Sequence, residues 1–274
     1  MKTILVATDY SKTATNAVEY ATLMAKETGA ELILFNVFKP SIHVQNSLAS
    51  SESLENMRKD NEERLHQLAT EIASKHQIKV GWSLGKNDPV ESLSKYTSEN
   101  FVDVVVMGID SNLTEYKLFG NTTTDAIKLM QFALLVVPND IQYKGIKHIM
   151  YACESSYLED GCKLSVLKEV VNDFKADLEL LHVLTNGDDS GKKEELEGVM
   201  NSILQDVPHT YHYEVNPRVG DGIEAGLEAS PSDLLVMIPH KMGFFEAFFK
   251  GSHTSQMSVK TRVPLLVIPN ERAC

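Results

Sequence analysis

Two carboxylates mark the ends of two apolar runs: Asp9 follows Ile4-Leu5-Val6-Ala7-Thr8, and Glu154 follows Ile149-Met150-Tyr151-Ala152-Cys153. Farther along, Gly120-Asn121-Thr122-Thr123 and Gly251-Ser252-His253-Thr254 each set a glycine before small polar residues. A glycine lets backbone N–H groups approach an anion, and a helix opening just behind it adds the partial positive charge of its N-terminus. Lys241 and Lys250 precede the second segment and suit an anion as point charges. The same residues also fit plain structural work, because a glycine followed by hydroxyl side chains starts and caps a helix. Asp9 divides in the same way, between holding a ligand and capping the helix behind it.

Histidines add little. His209 and His212 lie three apart on an expected strand, which puts them on opposite faces and argues against a shared metal. His182 reads as a satisfied polar residue near a strand end, and His240 and His253 as solvated loop residues. There is no Gly-x-Ser-x-Gly elbow and no Gly-Lys-Ser/Thr loop. Glu62-Glu63 and Glu194-Glu195 read as solvated helix faces. No general base meets a nucleophile, so neither a catalytic set nor a metal site is expected.

The element pattern that positions these residues is written twice. Ile4 to Ser11 returns as Ile149 to Ser156, and Glu31-Leu32-Ile33-Leu34-Phe35-Asn36-Val37 as Asp177-Leu178-Glu179-Leu180-Leu181-His182-Val183. Asp103 to Met107 returns as Asp233 to Met237, and Leu134 to Asn139 as Leu265 to Asn270. Order and spacing are kept, so the chain reads as two copies of one domain, 1–138 and 145–274, and any site has to be sought twice. The linker, 139–144, is too short to let the halves swing freely.

Each copy alternates strand and helix. In the first, strands are expected at Thr3–Thr8, Glu31–Phe38, around Ile78 to Leu84, Val102–Met107 and Ala133–Val137. Helices are expected after Ser11 or Thr13 up to Gly29, from Leu54 to Lys75, from Asp88-Pro89 onward, and over Thr122–Gln131. Lys39–Ser53, and Thr185–Lys193 in the second copy, read as polar loops. Such alternation implies an α/β fold, with a mostly parallel five-stranded sheet in each copy and helices on both faces. Ligands of such sheets sit beyond the carboxyl ends of the strands, where strand order reverses. That places Thr8, Asp9, Tyr10, Val37, Phe38 and the segment after Met107 at one crevice. Cys153, Glu154, Val183, Leu184 and the segment after Met237 stand at the other.

Composition narrows the function. Among 274 residues the net charge is −12, which disfavours a nucleic-acid partner. Cys153, Cys162 and Cys274 show no paired spacing, which suits a reducing compartment. No apolar run is long enough to span a membrane, and the chain reads as cytoplasmic.

Taken together, these pieces resemble the universal stress protein family in its tandem form. The resemblance rests on Ala7-Thr8-Asp9-Tyr10-Ser11, on Val106-Met107-Gly108 followed by Gly120-Asn121-Thr122, on Gly251-Ser252-His253-Thr254, and on the two Leu-Leu-Val-(Val/Ile)-Pro strands. It implies two tandem Rossmann-like or flavodoxin-like domains, usually dimeric, cytoplasmic and active in stress responses. Since the family pairs subunits through such apolar closing strands, it also implies that the two halves pair within one chain, with a homodimer of chains added on top. Some members bind ATP with magnesium and others do not. Those that bind it resemble G-x2-G-x9-G-[S/T] after the fourth strand. In the first copy Gly108 matches the first glycine, Ser111 takes the second place, and Gly120 comes one residue early. In the second copy Ile238 and Lys241 replace the first two glycines, and Gly251-Ser252 remains.

The resemblance therefore implies an adenine nucleotide site at Thr8, Asp9, Val37, Gly108, Gly120, Asn121, Thr122 and Thr123. It implies a weaker anion site at Glu154, Val183, Lys241, Gly251, Ser252 and His253. At most slow ATP hydrolysis is expected. The alternative is a nucleotide-independent scaffold whose phosphate loops have decayed in both copies, with the aromatic segment 242–249 as packing or as a contact surface for a protein partner that the sequence does not identify.

Overall fold

The strands of both copies join into a single ten-stranded sheet. The computed structural model describes residues 1–38, 51–86, 88–109, 132–153, 161–185, 190–238 and 263–269. The first half holds β1 (Thr3–Ala7), α1 (Lys12–Thr28), β2 (Glu31–Phe38), α2 (Ser51–His76), β3 (Val80–Lys86), α3 (Pro89–Glu99), β4 (Val104–Ile109) and β5 (Ala133–Pro138). The second holds β6 (His148–Ala152), α4 (Gly161–Phe174), β7 (Asp177–Leu184), α5 (Ser190–Ile203), β8 (His209–Val215), α6 (Val219–Ala229), β9 (Leu234–Met237) and β10 (Leu265–Val267). Strand order is β3-β2-β1-β4-β5-β10-β9-β6-β7-β8.

Within each half the strands are parallel, and each half runs 3-2-1-4-5 in its own order. The halves meet where β10 pairs antiparallel with β5, through Leu265↔Val136, Leu266↔Leu135 and Val267↔Leu134. All six residues are buried. One packing layer joins Ile4, Val6, Leu32 and Leu34 to α1, α2, α4 and α5. The other joins Leu5, Ile33 and Phe35 to α3 and α6. Burial on both faces explains why the strands read as continuous apolar runs.

Local signals hold the elements in place. Ser11 Oγ accepts the Ala14 N–H at 3.2 Å and starts α1, and Gly29 ends it with φ +71°. Asp88 caps α3 ahead of Pro89. The linker is tied down as well: Asn16 Nδ2 donates to the carbonyls of Pro138 and Ile141, both at 3.0 Å, and the Tyr143 hydroxyl donates to Glu27 at 2.7 Å.

Several boundaries differ from the sequence reading, among them the third strand, which runs over Val80–Lys86. The fourth strand is shifted two residues, to Val104–Ile109, so Gly108 lies inside the strand, paired with Val137. The Asp103 carboxylate instead accepts the N–H groups of Lys2 and Thr3, and the same clamp recurs where Asp233 accepts Lys147 and His148. Helix α2 already includes Ser51–Ser53, and α5 includes Ser190–Lys193, both expected as loop. The expected helix over Thr122–Gln131 and the aromatic segment 242–249 lie outside the described residues.

Candidate functional site

Strand order reverses between β1 and β4, so the crevice of the first half opens at the carboxyl ends of β2, β1 and β4. Carrying the register past the paired ends sets Asn36, Thr8 and Gly108 in one row. The Thr8 N–H donates to the Phe35 carbonyl at 2.8 Å, and Asn36 Nδ2 donates to the Thr8 carbonyl at 2.6 Å. Asn36 is buried, and its Oδ1 accepts from Asn61 Nδ2 of α2 at 2.7 Å, so both ends of this amide are satisfied. Beyond that row the chain turns sharply. Thr8 Oγ1 accepts the Tyr10 N–H at 3.1 Å, and Asp9 Oδ1 accepts the Ser11 N–H at 2.9 Å. Asp9 is exposed, and among the described residues its carboxylate takes only that one bond.

Gly108 has a structural reason of its own. A Cβ there would fall 2.3 Å from the Thr13 carbonyl oxygen, so the first turn of α1 sits directly on the glycine backbone. Val37 is half-buried on the α3 face of the sheet. Thr8, Asp9, Val37 and Gly108 thus converge on three adjacent strand ends. Gly120, Asn121, Thr122 and Thr123 lie outside the described residues.

The second half repeats the frame and changes its lining. The Cys153 N–H donates to the Leu181 carbonyl at 2.9 Å, as Thr8 does to Phe35. The matching row is His182, Cys153 and Ile238, all buried, where the first half has Asn36, Thr8 and Gly108. His182 Nδ1 lies 3.1 Å from the Cys153 carbonyl, which fixes its proton there. Its buried Nε2 has no partner among the described residues. Burial pushes the Cys153 thiol up to about 12. Val183 is covered by α6: a Cβ on Gly222 would lie 2.4 Å from its Cγ1, so this side chain is taken up by packing. Where the first turn of α1 rests on the Gly108 backbone, the second half has the buried, branched side chain of Ile238, packed in one cluster with Leu164 and Leu167 of α4. Glu154, Lys241, Gly251, Ser252 and His253 lie outside the described residues, as do His240 and Lys250.

His209 and His212 both belong to the edge strand β8. His209 faces Asn201 and Tyr211, while His212 lies on the opposite face between Glu179 and Glu214. Among the described residues no cluster of three or more His, Cys, Asp or Glu has the geometry of a metal site, and no helix is long and apolar enough to cross a membrane.

Sequence reasoning missed Asn61, Arg64 and the conformation of Tyr10. Tyr10 adopts φ +63°, unusual for a bulky residue. Arg64 stacks over its ring at 3.9 Å. Asn61 does continue the stripe of Leu65, Leu68 and Ile72 by one more helical step, and a polar residue in line with an apolar stripe was the available signal.

A model of the universal stress protein family matches residues 1–138. Among solved structures, a universal stress protein from Archaeoglobus fulgidus DSM 4304 is similar over 99% of this chain and 98% of its own, at TM-score 0.74 and 18% identity. A putative universal stress protein from Pseudomonas aeruginosa UCBPP-PA14 is similar over 98% and 93%, at TM-score 0.66 and 12% identity. The cytoplasmic domain of a prokaryotic cation chloride cotransporter is similar over 97% and 94%, at TM-score 0.54 and 8% identity. At these identities the structural likenesses carry the fold alone. A search of curated proteins finds no match.

Proposed function

The chain belongs to the universal stress protein family, and we propose that it is a stress-response protein whose first half binds an adenine nucleotide while its second half serves as scaffold. The observation that carries this reading is the contrast between the two rows at the strand ends. Thr8, Asn36 and Gly108 give the first crevice a polar floor with a strand glycine, and the exposed carboxylate of Asp9 stands at its rim. In the second, a thiol, an imidazole and the aliphatic side chain of Ile238 stand where the first has a hydroxyl, an amide and that glycine.

In this reading the half-buried Val37 is an apolar wall for the base, and the exposed carboxylate of Asp9 would meet the ribose or magnesium. A magnesium ion is commonly held by one or two carboxylates together with ligand phosphates, and a lone Asp9 carboxylate fits that donor count. The phosphates would lie toward Gly108 and the Gly120–Thr123 segment. No residue described here activates a nucleophile, so the nucleotide acts as a ligand whose binding changes what the protein contacts.

The scaffold reading applied to the whole chain finds its support in Ile238 and in the unbroken sheet through β5 and β10. The fold shared with a transporter's cytoplasmic domain is compatible with work of that kind. The two readings separate on Asp9→Ala and Gly120→Ala. Under the nucleotide reading both weaken Mg-ATP binding in calorimetry, and equal affinity in both variants would refute the placement.

A further inference from the structure

We propose that Arg64, seated on Tyr10, reads the anionic phosphate end of the ligand in the first-half crevice and makes that half, not the second, the polyphosphate-binding one. The proposal rests on the nucleotide reading above and adds to it a residue outside the glycine pattern.

The geometry starts at Tyr10. It follows Asp9 directly, at the reversal of strand order, and holds a left-handed backbone, at φ +63°, that a bulky side chain rarely adopts. Several contacts hold it there: the N–H bond to Thr8 Oγ1, a long 3.4 Å bond from its hydroxyl to the Asn61 carbonyl, and packing against the core. The Arg64 guanidinium lies 3.9 Å above the ring centroid. Stacking occupies the flat face of a guanidinium and leaves its five in-plane N–H donors pointing outward, the edge with which arginine grips phosphate.

Arg64 is exposed, and among the described residues no carboxylate pairs with it. The other arginine of α2 contrasts with it: Arg58 is bridged by Glu55 at 2.8 Å and Glu62 at 3.0 Å. Arg58 is neutralised locally, while the charge of Arg64 is held on Tyr10 with no carboxylate paired to it among the described residues.

The repeat supplies an internal comparison. Leu65 and Ala69 of α2 correspond to Leu196 and Met200 of α5, all buried. Arg64, just before Leu65, therefore corresponds to Glu195, just before Leu196, and Tyr10 corresponds to Ser155. At those places the second half has a serine for the aromatic seat and a glutamate for the cation; its own cation over a ring, Lys193 on Tyr213 at 4.4 Å, belongs to the edge strand β8.

The test is calorimetry of the full chain with Mg-ATP and with adenosine, for the wild type, Arg64→Ala and Arg64→Lys. It is paired with the Arg64 Nε–Hε resonance during titration with ATP, adenosine and inorganic tripolyphosphate. Losing a charge-assisted bond to phosphate should weaken ATP roughly 10–100-fold and leave adenosine unchanged, with lysine recovering only part of the loss. The resonance should move with ATP and tripolyphosphate but not with adenosine. Equal losses for ATP and adenosine would make Arg64 merely structural. An unmoved resonance with unchanged ATP affinity would overturn the proposal and leave the nucleotide reading standing. A resonance that moves with tripolyphosphate while wild-type protein binds no ATP would overturn the nucleotide reading and keep the anion site. Silence toward both ligands would overturn both.

Discussion

Gly108→Ala is the perturbation whose cost the structure specifies best. The added Cβ would sit 2.3 Å from the Thr13 carbonyl oxygen, 2.8 Å from its carbon and 3.0 Å from its Cγ2. Ordinary contact begins near 3.4 Å, so the first turn of α1 or the end of β4 has to retreat by about 1.1 Å. Neither moves easily. Ala17, Ala21, Met24 and Ala25 of α1 are at most 1% exposed, and β4 is paired on both sides. Overpacking of this kind costs about 1–3 kcal/mol, which for a chain of this size lowers Tm by roughly 2–10 °C. Gly198→Ala is the matched control. That glycine lies on an exposed face of α5 with nothing within 4 Å of the added carbon, so the same substitution should stabilise by about 0.5–1 kcal/mol. Urea unfolding followed by circular dichroism reads both. If Gly108→Ala stays within about 0.5 kcal/mol of wild type, the seat of α1 on that glycine is wrong, and its presence would then need a ligand to explain it.

Asn16→Ala removes two bonds to linker carbonyls and should cost about 1–3 kcal/mol. Hydrogen exchange across 139–144 should rise with it, and unchanged protection would show that the side chain does not hold the linker. Stability should also fall on the alkaline side. Burial raises the Cys153 thiol to about 12; burial, with the nearby Glu197 charge, raises the Tyr211 hydroxyl to about 12. Tyr20, Tyr143 and Tyr213 are raised in the same direction, chiefly by burial. Folded values above the unfolded ones favour the protonated forms in the native state. That stability is intact below the unfolded values, near 8.5 for a thiol and 10 for a phenol, and is lost as pH climbs toward 12. The urea midpoint should therefore fall between pH 8.5 and 11, and a flat or rising midpoint over that range would contradict the burial of these groups.

Much of the frame was legible in the sequence because parallel strands buried on both faces spell continuous apolar runs, and the runs recur in order. Caps were legible for the same local reason: Ser11, Gly29 and the Asp88-Pro89 pair act within one helical turn of themselves. The fourth strand was misplaced because Val102 looks like part of the apolar run, whereas Asp103 is bound across the chain to Lys2 and Thr3. Ser190–Lys193 read as loop from its glycine and charges, and the helix that buries Leu196 and Met200 overrides that local preference. At the crevice, residue types were readable and reasons were not. Gly108 stood out as a glycine, but its contact with Thr13 joins residues 95 positions apart in the chain. Asn61 and Arg64 could not be placed, since nothing local shows α2 passing over residue 10.

The central claim is that one half of a duplicated fold binds nucleotide and the other does not. Calorimetric titration of the full chain with Mg-ATP tests it most directly, through the number of sites. The account expects one site per chain, lost in Asp9→Ala and indifferent to Ile238→Val. Two sites per chain, or none at protein concentrations high enough to detect weak binding, would contradict it.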